Sequence, residues 1–460
     1  MIKNILPIIL TILFASCEYE DFDDSKELNS PLAPCVDGVA KVFGANHDHV
    51  YSCSNYDLMG HVSLKEMDAE AGNDCWGWTD QENGREYAIM GVNNGTAFID
   101  ITDSTNPIYL GKLPTATLDS SWRDMKVYND HVYIVSEAND HGLQVFDLTN
   151  LRGVESAKIF SADHTSNQFG QAHNIAVNED SGYAYVAGAG GKGIYAFNLL
   201  NPLTPTIDLE APNFGYSHDA QIVNYKGPDN RYDNDEIYIG SNEDRVIIVN
   251  VSDKSNPKLI SEFKYDEKVI NNDQYTHQAW LTKDHKYLLL GDEFDELEKG
   301  CIESNFQNCD LVDNIKTYVI DLQDLEDPKL HFVYKSNLDG IDHNGYVKDY
   351  KFYLASYTNG LRVIDILNID QKNISEIGFF NTYHPDDHSG VIEKTSSTKW
   401  SDPGDHNGVK GENIESFNGA WSVYPFFKSE NIIISDINSR ARSAKLRSSI
   451  PIPIAPWTKN

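Results

Sequence analysis

One pattern recurs along the chain. Arg245 to Pro257 reads Arg-Val-Ile-Ile-Val-Asn-Val-Ser-Asp-Lys-Ser-Asn-Pro, a run of β-branched residues, a polar turn, and a proline that opens the next strand. Thr96 to Pro107 carries Ala-Phe-Ile-Asp-Ile-Thr-Asp-Ser-Thr-Asn-Pro, and Lys316 to Pro328 carries Thr-Tyr-Val-Ile-Asp-Leu with a later Asp-Pro. Weaker copies lie at Leu143 to Leu148, Ile194 to Asn198 and Leu361 to Ile366. A unit of several short strands repeated every ~45 to 75 residues predicts an all-β array of the β-propeller kind, because one such unit cannot bury its apolar face alone.

The length fits this reading, since a propeller absorbs 460 residues as one closed body. No long amphipathic helical period competes with the strand pattern. Acidic residues outnumber basic ones by 70 to 37, which argues against a nucleic-acid partner, whose phosphates reward Lys and Arg.

Residues 1–16 read as a secretory signal: Lys3 gives the positive start, Ile5 to Phe14 an apolar run too short to span a membrane, and Ala15-Ser16 the small cleavage residues. The ending Phe14-Ala-Ser-Cys17 resembles a bacterial lipobox, with Phe14 where Leu is usual, so Cys17 is expected to carry a lipid. Residues 17–34 form an acidic tether that resembles the surface-export signal of bacterial lipoproteins. The expectation is a monomeric cell-envelope lipoprotein held to the outer membrane by its lipid and exposed at the surface. In an exported chain Cys35 with Cys53, and Cys301 with Cys309, are candidate disulfides by proximity in sequence, while Cys75 reads as a buried thiol.

Cut at the repeat, residues 35–437 divide into seven units, with inner strands starting near Asp74, Arg123, His173, His218, His277, His343 and Asn418. Polar insertions interrupt the fifth unit, around Cys301 and Cys309, and precede the seventh, from Tyr383 to Ser416. The seventh unit is incomplete, with two strands at Trp421 to Tyr424 and Ile432 to Ser435, and residues 438–460 read as a basic tail. Asp57 to Leu64 aligns with a fourth strand, Tyr109 to Pro114, so an N-terminal strand is expected to complete the last blade of a seven-bladed ring and leave no exposed edge.

Cys35-Val-Asp-Gly38, Gly72-Asn-Asp-Cys-Trp-Gly-Trp-Thr79, Ser121-Trp-Arg-Asp124, Gln171-Ala-His-Asn174, His218-Asp-Ala-Gln221, Thr276-His-Gln-Ala-Trp280 and Phe417-Asn-Gly-Ala-Trp-Ser-Val-Tyr-Pro425 resemble the choice-of-anchor B family, whose repeats are of the LVIVD type. The resemblance spans about residue 35 to 437. It implies a propeller fold and an anchored surface location more than a reaction. The chain departs from the family in its basic C-terminal segment, where a final apolar strand is expected.

Aligned on the start of the inner strands, the seven units place Asp74, Arg123, His173, His218, His277, His343 and Asn418 at one phase, none of them apolar. The next position holds Cys75, Asp124, Asn174, Asp219, Gln278, Asn344 and Gly419. Loops expected on the same face carry Glu137, Glu243, Asp244, Asp292, Glu293, Asp295 and Tyr357. The expectation is a histidine floor at the channel mouth inside an acidic rim. His173, His218, His277 and His343 would ligate Zn²⁺, Fe²⁺, Mn²⁺ or Cu²⁺, and no organic cofactor is indicated. His218 and His277 would supply base chemistry and Arg123 a two-pronged grip on an acidic substrate, with Asp74, Asp124, Asn418, Glu243, Glu293 and Tyr357 as further substrate contacts. The same polar residues could instead tie blades together, since no nucleophile elbow or acid–base signature accompanies them. A metal-assisted lyase or hydrolase on an extracellular small molecule or polysaccharide, and a non-catalytic recognition or scaffold module, both stay open.

Overall fold

The computed structural model describes residues 32–42, 49–189, 193–265, 275–297, 313–383 and 417–437, and the backbone of 440–446. Six successive stretches of chain each fold into an antiparallel sheet with the first strand innermost. Their inner strands are Gly72–Thr79, Arg123–Tyr128, Asn174–Asn178, Asp219–Asn224, Thr276–Leu281 and Gly345–Lys348. The fourth blade shows the unit most simply: Asp219–Asn224, Glu236–Ser241, Val246–Asn250 and Lys258–Phe263 pair in chain order. Its repeat residues Val246, Ile247, Ile248 and Val249 are all buried, so β-branched side chains face neighbours on both sides of the sheet.

The protein is therefore a six-bladed propeller, which corrects the expectation of seven equivalent blades. The remaining strands form one four-stranded antiparallel sheet drawn from both ends of the chain rather than from one continuous stretch. Ala420–Tyr424, Asn431–Asp436 and Arg440–Leu446 join Tyr56–Ser63, from the other end of the chain, in a composite closing sheet. The repeat is too degraded after Tyr424 to build a fourth strand locally, and the basic segment from Arg440 supplies a strand rather than only a tail. Ala420–Tyr424 packs on both Gly345–Lys348 and Gly72–Thr79, so the circle of inner strands closes.

Apolar side chains fill the spaces between blades rather than a single centre. Trp78, Tyr87, Ile89 and Phe98 of the first blade pack with Met125, Val132, Ile134 and Phe146 of the second. Near the axis, polar side chains perform the joining. Asn73 Oδ1 accepts from Arg123 N at 2.8 Å, Asp124 Oδ2 from Ile175 N at 2.8 Å, Gln221 Oε1 from Leu281 N at 2.8 Å, and Gln278 Oε1 from Gly345 N at 2.5 Å. Each bond satisfies a buried N–H of the following blade that its own sheet leaves unpaired.

The N-terminal segment does more than close the ring. Val39–Val42 and His49–Ser54 extend the outer edge of the sixth blade, with Cys53 opposite Phe380, before Tyr56–Ser63 crosses to the closing sheet. Cys35 and Cys53 form a disulfide within this segment. Cys75 is a buried free thiol. Cys17, Cys301, Cys309 and the signal and tether of residues 1–31 lie outside the described residues. Because the Cys35–Cys53 bridge closes an 18-residue separation, its loss is expected to cost about 3 kcal/mol by the loop-entropy argument. Urea denaturation of Cys53→Ser against the wild-type chain should show that loss under oxidising conditions, and dithiothreitol should erase the difference.

Candidate metal centre at the channel mouth

Four histidines enter the mouth of the channel from adjacent blades. His173 and His218 each immediately precede an inner strand, His277 lies in Thr276–Leu281, and His343 stands just ahead of Gly345–Lys348. Their rings form a continuous arc, with centroids 4.0 Å apart for His173 and His218, 4.4 Å for His218 and His277, and 4.2 Å for His277 and His343. Trp421 of the closing sheet continues the arc, 4.4 Å from His343. Gly188 makes room for the first ring: a Cβ there would sit 2.9 Å from that of His173, and its φ of +66° suits glycine. Asp74, Arg123, Asp124, Asn174, Asp219, Asn344 and Trp122 also line this small cavity.

Two of the imidazoles are held by one nitrogen so that the other is free. His343 Nδ1 lies 2.5 Å from the Trp421 carbonyl and His218 Nδ1 3.3 Å from the His277 carbonyl, so each donates through Nδ1 and presents a bare Nε2. Glu293 completes a group. Its Oε2 is 3.6 Å from His277 Nε2 and its Oε1 3.9 Å from His343 Nε2, and the Tyr357 hydroxyl donates to the same carboxylate. His277, Glu293 and His343 are all buried, and their ligand atoms lie within 4.8 Å of one another, an arrangement that can hold a metal ion. Donors on a tetrahedral Zn²⁺ with bonds of 2.0–2.1 Å stand roughly 3.3 Å apart, so the triad needs only a small contraction. Two imidazoles with one carboxylate also suit Fe²⁺ or Mn²⁺.

Electrostatics agree with neutral rings here. Burial, then the neighbouring imidazoles, holds His218 and His277 well below the usual histidine range, and burial takes His343 down to about 3. Burial pushes Glu293 up to about 7, against the lowering effect of the Tyr357 hydrogen bond. His173 differs. Burial pulls its pKa down, but Glu137, whose Oε1 is 2.5 Å from Nδ1, overcomes this and leaves it raised. The expected four-histidine ligand set is thus redistributed: His277 and His343 join Glu293, His218 stands beside them, and His173 belongs to a His–Glu pair.

Arg123 has structural partners as well as a place in the cavity lining. Only 1 % exposed, it sends Nε to the Val92 carbonyl at 3.2 Å, Nη2 to Thr115 Oγ1 at 2.7 Å, and Nη1 to His141 Nε2 at 2.9 Å. Its guanidinium therefore ties loops of the first two blades with three of its five N–H donors, while it still lines the cavity. Asp124 is equally committed, accepting from Met125 N at 2.6 Å, Lys126 Nζ at 2.5 Å and Ile175 N. Glu243 makes a backbone bridge to Thr276 and, like Asn418, is half-buried and outside the cavity lining. Tyr357 meets Glu293 rather than solvent, since it is buried.

A second polar layer lies below the rings. Lys126 sits 4.6 Å above the Trp76 ring and pairs with Asp124. Asp74 accepts from Cys75 N at 2.6 Å and from Asn344 Nδ2 at 3.2 Å. Sequence reading missed Lys126 as a channel residue, although the two-residue period of a strand puts it on the face of Asp124.

Comparison with known protein families and with curated proteins finds no match.

Asp74 gives this layer a measurable signature. Burial, then the Asp124 charge, raises it from 3.8 to about 8, so the folded protein holds a proton that the unfolded chain releases. The associated stability is complete below about pH 4 and is lost progressively as pH rises towards 8. Thermal melts across that range should fall less steeply for Asp74→Asn than for the wild-type chain.

Proposed function

We propose that the channel mouth is a divalent-metal centre ligated by His277, His343 and Glu293, serving metal-assisted hydrolysis or elimination on a small oxygen-bearing substrate. The observation that carries this reading is the convergence of both Nε2 atoms on one buried carboxylate. A metal in such a set acts as a Lewis acid. The neighbouring His173–Glu137 pair, with a raised imidazole pKa, is placed to take or give a proton, and Glu137 orients the ring. Charge on the substrate would be met by the metal and a protonated His173. The cavity is small, which favours a compact ligand over a polymer segment.

The setting we propose is an envelope lipoprotein, anchored through Cys17 and facing outward, of the choice-of-anchor B kind. Its support is the lipobox-like start, the acidic tether, the LVIVD-like repeats and the propeller fold.

A non-catalytic structural metal site is the second reading, favoured by one observation. His218 has a bare Nε2 and a ring 4.4 Å from His277, so it can supply a fourth ligand and close the coordination shell. Metal analysis of the purified full chain, before and after loading with Zn²⁺ and dialysis, tests the centre itself. About one equivalent is expected, lost in His277→Ala/His343→Ala and in Glu293→Gln; no retained metal in the loaded wild-type protein sinks both readings. Metal-dependent turnover of chromogenic esters or phosphoesters that drops about 100-fold in Glu137→Gln, with metal content unchanged, supports the catalytic reading. Retained metal with no such turnover, together with weaker retention in His218→Ala, supports the structural one.

A further inference from the structure

A cleft at the other end of the sixth blade has the chemistry of a ligand site. Gly345–Lys348 starts near His343 and ends at the hairpin turn Lys348 to Lys351, about 15 Å further along an extended strand. Between that turn and the Pro425 to Glu430 turn of the closing sheet lies a cleft of about 250 Å³. Its volume is close to the lower bound of small-molecule pockets and accommodates one sugar ring.

The lining combines aromatic surface with polar groups, of which Asp349 is taken by Lys283 and Asp365 by Leu367 N while the Tyr56 hydroxyl is not taken. Tyr56 lines the cleft, is 1 % exposed, and its buried hydroxyl has no hydrogen-bond partner. Its ring is fixed against Gly378, where a Cβ would come within 2.6 Å of a ring carbon. Tyr353 and Glu430 line the same cleft. Tyr350 stands 59 % exposed at the lip. By contrast Lys348 is occupied, donating to the Pro425 and Phe427 carbonyls at 2.7 and 2.9 Å.

These features narrow the ligand. Two lysines and three carboxylates line the cleft, Lys348 and Lys351 against Asp349, Asp365 and Glu430, so neither a strong anion nor a strong cation is selected. A purely apolar ligand would leave the buried Tyr56 hydroxyl unsatisfied, at the usual cost of an unpaired polar group. A hydroxyl that both donates and accepts satisfies Tyr56 and the Glu430 carboxylate together, and the face of a sugar ring suits an exposed tyrosine.

We infer that the cleft between the sixth blade and the closing sheet binds a neutral saccharide, with Tyr56, Tyr353 and Glu430 as its hydrogen-bonding floor and Tyr350 as its stacking lip. The site is separate from the metal centre and does not rest on it. Isothermal titration of the full chain with glucose, galactose, mannose, N-acetylglucosamine and their disaccharides provides the test. At least one sugar should bind saturably, about tenfold more weakly in both Tyr350→Ala and Glu430→Gln, and undiminished in His277→Ala. Tyr350 is exposed enough for its variant to fold, which circular dichroism and a melting curve would establish. Absence of saturable binding to every sugar, or affinity unchanged in either cleft variant, overturns the inference.

Discussion

The bond from a channel-lining side chain to a backbone N–H of the next blade is the constraint on which this propeller depends. An inner strand has no neighbouring strand on its axial side, so its free amides need partners that are not strands. Asn73, Asp124, Gln221 and Gln278 provide them, each reaching from one blade to the following one. Such a bond contributes about 1 kcal/mol net, while leaving the buried amide unpaired costs about 1–3 kcal/mol. That asymmetry makes the angular spacing of the blades a matter of polar geometry, with apolar packing between sheets filling the space so defined.

The histidine arc follows from the same repetition. Once each inner strand starts at a matching height, a side chain within two residues of that start reaches the channel mouth, and three of the four imidazoles come to within 4.4 Å of both neighbours or one neighbour and an indole. What distinguishes them is the loop each blade adds. The loop after the second strand of the fifth blade delivers Glu293 to His277 and His343, whereas the equivalent loop of the second blade delivers Glu137 to His173. A nearly symmetric scaffold thus yields two different carboxylate–imidazole groupings, one suited to a cation and one to a proton.

The repeat made the strands and their inner phase legible, because alternation and β-branched runs report local geometry directly. The N-terminal strand of the last sheet was legible too, since Asp57 to Leu64 matched a fourth strand and Tyr56–Ser63 forms one, whereas the strand it pairs with was not. The composite closing sheet is drawn from both ends of the chain, and the strand at Arg440–Leu446 carries none of the apolar signal seen at Val246 or Ile248. Within the site, the histidines were readable from phase alone, but Glu293 could only be placed on the rim. Its place beside His277 and His343 depends on how far one loop folds inward, and Tyr357, far away in sequence, holds it there. Arg123 shares the phase of the histidines and lines the same cavity, and its longer side chain also reaches the Val92 carbonyl, Thr115 and His141.

The sixth blade connects these observations. Its inner strand carries a metal-ligand candidate before its first residue and meets the saccharide-type cleft at its last. Its outer edge receives the two N-terminal strands and the Cys35–Cys53 bridge, and the chain then passes directly through Tyr56 into the closing sheet. The strand that closes the ring therefore also sets the floor of the cleft. Fraying of that closure would displace Tyr56 from Gly378 while leaving His277 and Glu293, both on the fifth blade, in contact. The metal centre is coupled to the same closure through His343, whose Nδ1 is held by the Trp421 carbonyl of the closing sheet.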